Sequence, residues 1–236
     1  MATFLLIHGA FRGAWAWERV TPLLEADGHR GIAIDLPLAG ERWQDEPPPI
    51  GLDDYIDAVL DAAYDLDHPI VVGHSQGGFI AGAAVARDPR AFSGLAYLDA
   101  PIPIPGKRAL DIRAPAASDF PVPDLDRSDI VQPILAEAGE HMTAEDAAFI
   151  NARLCPLPAG PSLDPVTAAP PDDLLTAVAF CEHSSPFVPA RATRAAMDEA
   201  GAPYTLIDGH HDVTITEPGA VARWLGDIVG DQRTTA

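Results

Sequence analysis

The segment VVGHSQGG, residues 71–78, gives the most specific indication of the fold. It places Ser75 in a G-x-S-x-G pattern, after an apolar run and before a series of small residues. The apolar run is typical of a buried strand, and the small residues allow a sharp turn followed by a closely packed helix. The pattern predicts a strand, turn and helix that hold the Ser75 hydroxyl exposed above a sheet. The alternative is a glycine-rich turn with an incidental serine.

The segments on both sides of Ser75 alternate between strand-like and helix-like patterns. Strands are predicted at residues 3–9, 31–36, 69–73, 94–99, 176–181 and 204–208. Helices are predicted at residues 13–28, 51–67, 77–89, 190–201 and 216–230, followed by a frayed tail at 231–236. This alternation predicts an α/β fold with a doubly wound, mostly parallel sheet and helices on both faces.

A proline-rich segment interrupts this alternation. Between residues 101 and 171 only 129–140 and 143–154 have helical character. Such a segment is too long for an ordinary loop inside a compact domain. We therefore expect residues 1–100 and 172–236 to form one α/β core, and residues 101–171 to form a small helical lid over it.

Composition narrows the classes of partner and cofactor. The formal net charge of −20 argues against nucleic acids and anionic membranes as partners. The amino terminus has no basic region before its short apolar run, so a cytoplasmic protein is expected. Neither Cys155 nor Cys181 lies in a disulfide or metal-binding pattern, and no nucleotide-binding glycine motif is present. We expect a monomer or homodimer that acts on a small molecule, with no cofactor and no metal.

A serine hydroxyl needs a neighbouring base to become a nucleophile near neutral pH. His210 and His211 follow the last predicted strand, where a doubly wound sheet brings a loop back over the ends of earlier strands. Spacing alone does not separate these two histidines. His74 adjoins Ser75, but its side chain is expected to point away from the serine across the turn.

Four segments together resemble the α/β-hydrolase superfamily, in particular its branch of small plant-type esterases, hydroxynitrile lyases and their bacterial relatives. The segments are FLLIHGAFRGAWAW, GHSQGG, YLDAPIPIPG and GHHDVTITEPGAVARWL. In that branch the catalytic histidine stands seven residues before the proline that opens the final helix. His211 and Pro218 match this spacing, so the resemblance selects His211 over His210.

The resemblance also implies an oxyanion hole, which is the set of donors that stabilises negative charge on the substrate oxygen. The residue after the first His-Gly donates a backbone N–H in this family. That residue is Ala10, with Phe11 as a further candidate. The second donor is the N–H of Gln76, the residue after the nucleophile.

The acid that orients the histidine departs from the commonest family pattern. The family usually has an aspartate after the strand that follows the lid, but Ser184 and Ser185 stand near that position. The candidates are Asp99, at the end of the preceding core strand, and Glu182. Asp99 is preferred because other branches of the superfamily place the acid there.

The function implied by the resemblance is cleavage of a small, largely apolar ester by a Ser75, His211 and Asp99 triad through an acyl enzyme. A lyase or cyclising enzyme that uses serine and histidine as a proton shuttle is the alternative. Hydroxynitrile lyases usually carry a lysine soon after the histidine, whereas Asp212 follows here. A receptor-like binding protein is a third possibility.

Overall fold

The central sheet has six strands, all paired in parallel. Their order across the sheet is Arg30–Ile34, Thr3–Ile7, Ile70–His74, Gly94–Leu98, Thr176–Cys181 and Thr205–Ile207. The computed structural model describes residues 1–234, with side chains to residue 230. Its strands are β1 (Thr3–Ile7), β2 (Arg30–Ile34), β3 (Ile70–His74), β4 (Gly94–Leu98), β5 (Ile130–Val131), β6 (Leu157–Pro158), β7 (Thr176–Cys181) and β8 (Thr205–Ile207). The predicted doubly wound α/β architecture is confirmed.

Helices cover both faces of this sheet. They are α1 (Thr21–Ala26), α2 (Leu52–Tyr64), α3 (Gln76–Arg87), α4 (Ala144–Asn151), α5 (Gly160–Leu163), α6 (Ala190–Ala200), α7 (Val213–Thr216) and α8 (Pro218–Thr234). Buried side chains of α2 and α3 form a core on one face, and those of α1 and α8 form a second core on the other. Burial of each large apolar side chain contributes about 1.5–3 kcal/mol, so the two cores hold the sheet rigid.

The segment between β4 and β7, residues 99–175, contains only short elements. Helix α4 confirms the helix predicted at 143–154, but the helix predicted at 129–140 is wrong. Pro133 lies inside that stretch and cannot donate a helical hydrogen bond. Instead, β5 pairs with β6, and the Asn151 side chain bonds the backbone N–H and C=O of Ala136 at 2.8 and 2.9 Å. The boundaries expected for a lid stay a prediction.

Two further helix predictions differ from the structure at their boundaries. The helix predicted at 13–28 is divided into a 3-10 turn, Ala14–Trp17, and the short helix α1, which has Pro22 in its first turn. The closing helix α8 continues to Thr234, beyond the predicted end at residue 230. The predicted fraying at 235–236 lies outside the described residues.

Within the described part of the chain, no helix combines the length and apolar character needed to span a bilayer.

Candidate active site

The candidate catalytic side chains lie together at the carboxyl edge of the sheet. Ser75 follows β3, and Asp99 follows the neighbouring strand β4. The ladder continues one residue past each strand end: the N–H of Ser75 donates to the Leu98 carbonyl at 3.1 Å, and the N–H of Asp99 donates to the Ala179 carbonyl at 2.7 Å. His211 lies in the loop after β8. The carboxyl ends of parallel strands meet at one edge, so residues distant in sequence lie together there.

Ser75 stands on a sharp turn between β3 and α3. Its backbone φ of 54° lies in the left-handed region, which L-residues rarely adopt. Gly77 permits this turn, because a Cβ at that position would lie 2.5 Å from the His8 carbonyl oxygen. The predicted strand, turn and helix around the serine is therefore present.

His211 connects Ser75 to Asp99 by two hydrogen bonds. The Nε2 atom of His211 lies 3.0 Å from Ser75 Oγ, and its Nδ1 atom lies 2.6 Å from Asp99 Oδ2. With Nδ1 protonated toward the carboxylate, Nε2 is free to accept the serine proton. The arrangement can deprotonate Ser75 and stabilise the resulting imidazolium.

Asp99 is almost completely buried, with 1% of its surface exposed. The Ser184 hydroxyl donates to Asp99 Oδ2, and the Cys181 N–H donates to Oδ1 at 3.2 Å. Burial opposes ionisation of Asp99. The hydrogen bonds from His211 and from these two donors outweigh burial and hold the pKa of the carboxyl below its usual value.

Glu182, the alternative acid, lies outside this hydrogen-bonded chain. It is exposed, and its backbone N–H donates to the Ile207 carbonyl at 2.9 Å. Among residues 1–230, His211 Nδ1 has Asp99 as its carboxylate partner. The structure thus brings together the first-choice residues and leaves Glu182 at the surface.

The two neighbouring histidines occupy different positions from His211. The His74 Nε2–H donates to the His211 carbonyl at 2.8 Å and holds the His211 backbone in place. Burial, together with repulsion from His211, lowers the pKa of His74 to about 3, so it is neutral near pH 7. His210 Nδ1 accepts from the Asp212 N–H at 3.3 Å. Neither side chain replaces His211 beside Ser75.

The turn after β1 carries the expected oxyanion donors. A Cβ at Gly9 would lie 3.0 Å from Ser75 Cβ, so this turn packs directly against the serine. Ala10 and Phe11 follow, and Phe11 has a φ of 64°. Gln76 is the first residue of α3, and the first N–H groups of a helix have no partner within it. The three expected residues therefore lie on the two turns that flank Ser75.

An ion pair fixes the turn after β1 to the segment that carries His211. Arg12 Nε donates to Asp212 Oδ1 at 2.8 Å, and an Arg12 terminal nitrogen donates to the Ala10 carbonyl at 2.9 Å. Both side chains are largely buried, with 14% and 7% of their surfaces exposed. Arg12 was not predicted as a site residue, because its partner lies 200 positions away in the sequence.

The segment between β4 and β7 reaches both turns. Ser162 Oγ accepts a hydrogen bond from the Gln76 side chain at 2.9 Å, and the Cys155 N–H donates to the Phe11 carbonyl at 3.0 Å.

Both cysteines of the chain are buried free thiols.

Comparison with known proteins places this geometry in a family. A family model described as the alpha/beta hydrolase family matches residues 4–224. Rice esterase PIR7B (Oryza sativa subsp. japonica) is 34% identical over 108 residues, which are 44% of this chain and 40% of the rice protein. The carbendazim hydrolyzing esterase of Nocardioides sp. (strain SG-4G) is 30% identical over 168 residues, 66% of this chain and 69% of that protein. The chain thus spans about two fifths of the rice relative. The resemblance inferred from the motifs is confirmed.

Solved structures support the fold assignment. The methylesterase MES16 from Arabidopsis superimposes with a TM-score of 0.75 at 21% identity, covering 98% of this chain and 99% of that one. Tomato methylketone synthase I superimposes with a TM-score of 0.76 at 20% identity, covering 98% of each chain. Such a likeness at this identity establishes a common fold and leaves the chemistry open.

Proposed function

The chain belongs to the alpha/beta hydrolase family, and on that premise we propose that it is a serine hydrolase that cleaves a small, largely apolar carboxylic ester. The observation that carries this proposal is the hydrogen-bonded chain from Ser75 through His211 to Asp99. Relatives named as esterases, one from rice and one from a bacterium, support the same reaction class.

The proposed mechanism has two halves. His211 accepts the proton of Ser75 as the serine oxygen attacks the ester carbonyl, and Asp99 stabilises the imidazolium. The N–H groups of Ala10 and Gln76 stabilise the oxyanion, and loss of one such donor typically slows a reaction about 10²–10³-fold. His211 then protonates the departing alcohol. Water, deprotonated by the same histidine, releases the acid and restores Ser75.

Hydrolysis of short-chain p-nitrophenyl esters tests this proposal. Turnover should fall by about 10⁴–10⁶-fold in Ser75→Ala, because the nucleophile is removed. Ser93→Ala is the matched control, since Ser93 is exposed and precedes β4 at the opposite edge of the sheet. Undiminished turnover in Ser75→Ala contradicts the proposal.

A lyase or cyclising enzyme is the second candidate, with the same serine and histidine passing a proton and forming no acyl enzyme. A relative named as a synthase supports a reaction other than hydrolysis: norfluorocurarine synthase 1 of Strychnos nux-vomica is 37% identical over 103 residues, 42% of this chain and 39% of that protein. A stable phosphonate adduct on Ser75 without ester turnover would support this candidate, or a receptor-like protein, over the esterase.

A further inference from the structure

Three metal-ligating side chains meet away from Ser75, and each comes from a different part of the chain. His141 lies in the segment between β4 and β7, His183 follows β7, and Asp208 follows β8. No local sequence pattern connects them, because consecutive members lie 42 and 25 positions apart in the chain. The fold alone assembles the cluster.

The geometry of the cluster is close. The His141 and His183 rings are stacked, with centroids 3.6 Å apart and planes 3° from parallel. His183 Nε2 lies 2.9 Å from Asp208 Oδ1. One ligand atom from each of the three residues lies within 4.8 Å of the other two. Ligands around a tetrahedral zinc ion lie about 3.4 Å apart, as bond lengths near 2.1 Å require. The stacked imidazoles are parallel, so both rings must turn toward a common point when an ion binds.

We propose that His141, His183 and Asp208 form a binding site for a divalent transition metal ion of the zinc, cobalt or nickel class. Two imidazoles and one carboxylate suit such ions, whereas magnesium and calcium prefer sites built from oxygen alone. Three protein ligands leave at least one position for water. None of these three ligands takes part in the ester chemistry proposed above.

The surroundings favour a cation and give it access from solvent. His141 and Asp208 line an open groove between the β7–β8 edge of the sheet and α8. The carboxylate and guanidinium groups that line this groove are predominantly acidic: Glu140, Asp146, Asp208, Glu217 and Asp227, against Arg223. Asp146 is paired with Arg19, but the remaining carboxylates leave a negative field that attracts cations. Asp208 is largely exposed, so an arriving ion meets a hydrated carboxylate first.

The consequence of binding is a cross-link between two parts of the molecule. His141 belongs to the segment between β4 and β7, while the other two ligands belong to loops of the core. Binding to the folded state alone stabilises it by mass action. His183 also precedes Ser184, the hydroxyl donor to Asp99. The metal therefore fixes the loop that holds the buried acid.

Calorimetric titration of untagged, EDTA-treated protein with Zn²⁺ tests the site, supported by the visible spectrum after Co²⁺ addition. One equivalent should bind and raise the melting temperature. Since loss of a ligand's hydrogen-bond partner already costs about 10–100-fold in affinity, His141→Ala, His183→Ala and Asp208→Asn should each weaken binding by at least about tenfold. Circular dichroism of each variant verifies folding.

Two control variants separate this site from other histidines. His68→Ala removes an exposed histidine that also bonds an aspartate, Asp67, at 3.1 Å but, among residues 1–230, belongs to no cluster of three ligands. His210→Ala removes a histidine near Ser75. Both should bind Zn²⁺ as the unmodified protein does. Absence of binding in the unmodified protein overturns the proposal, as does binding that persists in His141→Ala and His183→Ala or is lost in His210→Ala.

Discussion

At the level of single residues, the proposed site depends on the position of Asp99. Ser184 lies in the loop after β7, and its hydroxyl donates to Asp99 at the end of β4. Sequence patterns found Ser75 and His211, because both lie in local motifs. The role of Ser184 depends on contact between two loops 85 residues apart, which no local pattern encodes.

Replacing the acid tests this assignment. Asp99→Asn should lower kcat by about 10⁴-fold with little change in KM, because an amide favours the wrong histidine tautomer while keeping the shape of the side chain. Steady-state ester hydrolysis measures the effect. Glu182→Gln is the matched control and should retain normal activity. The reverse result, with only Glu182→Gln inactive, makes Glu182 the acid.

Ser184 acts as a positioning residue for Asp99. Its hydrogen bond helps to hold the pKa of Asp99 low, so in Ser184→Ala that pKa rises. Protonation of Asp99 then begins at higher pH, and the acid limb of the kcat profile should move upward in pH. Ser185→Ala is the control, because Ser185 is exposed and its hydroxyl accepts from the Phe187 N–H at 3.3 Å instead of bonding Asp99. An unshifted acid limb in Ser184→Ala contradicts this role.

At the scale of elements, strands and long helices followed from periodicity, whereas the segment between β4 and β7 did not. The apolar spacing at 129–140 is typical of a helix, but Ile134 and Leu135 are 84% and 64% exposed. These side chains pack against no core, so burial does not stabilise a helix there. Short strands and side-chain bonds satisfy this backbone instead. Periodicity predicts an element only where it has a surface to pack against.

The Arg12 and Asp212 pair joins two elements of the site. Asp212→Asn should lower the free energy of unfolding by about 3 kcal/mol, because it leaves the largely buried Arg12 charge without its partner. Urea denaturation measures this change. Asp57→Asn breaks a bond between Arg87 and an aspartate whose side chain is 65% exposed, and it should cost less than about 1 kcal/mol. An equal loss of unfolding free energy in the two variants would contradict a larger contribution from the buried pair.

At the scale of the whole molecule, the alternation of strands and helices predicted the sheet, and the sheet in turn positions the site. Residues 75, 99, 184 and 211 follow four strands of the six-stranded parallel sheet, so they all lie at its carboxyl edge. Sequence alone could not give the contacts between these loops, because packing of the whole core sets them. Burial at this edge also makes stability depend on pH.

Stability should fall in mild acid. In the unfolded chain His74 takes a proton near pH 6.5, whereas burial keeps it neutral in the folded protein down to about pH 3. The unfolded state therefore binds the extra proton between these values, and stability present at pH 7 is lost as pH falls below about 6.5. Urea denaturation from pH 7 to 4 should give a shallower decline for His74→Gln than for the exposed control His68→Gln. Equal slopes contradict this origin.

Ser75 should become acylated during turnover. Intact-protein mass spectrometry after rapid acid quenching of the reaction with p-nitrophenyl butyrate measures this directly. We expect a mass increase of one butyryl group, located on the peptide that contains Ser75 and absent from Ser75→Ala. Ester turnover with no such adduct on rapid quenching, or an adduct that persists in Ser75→Ala, contradicts the account.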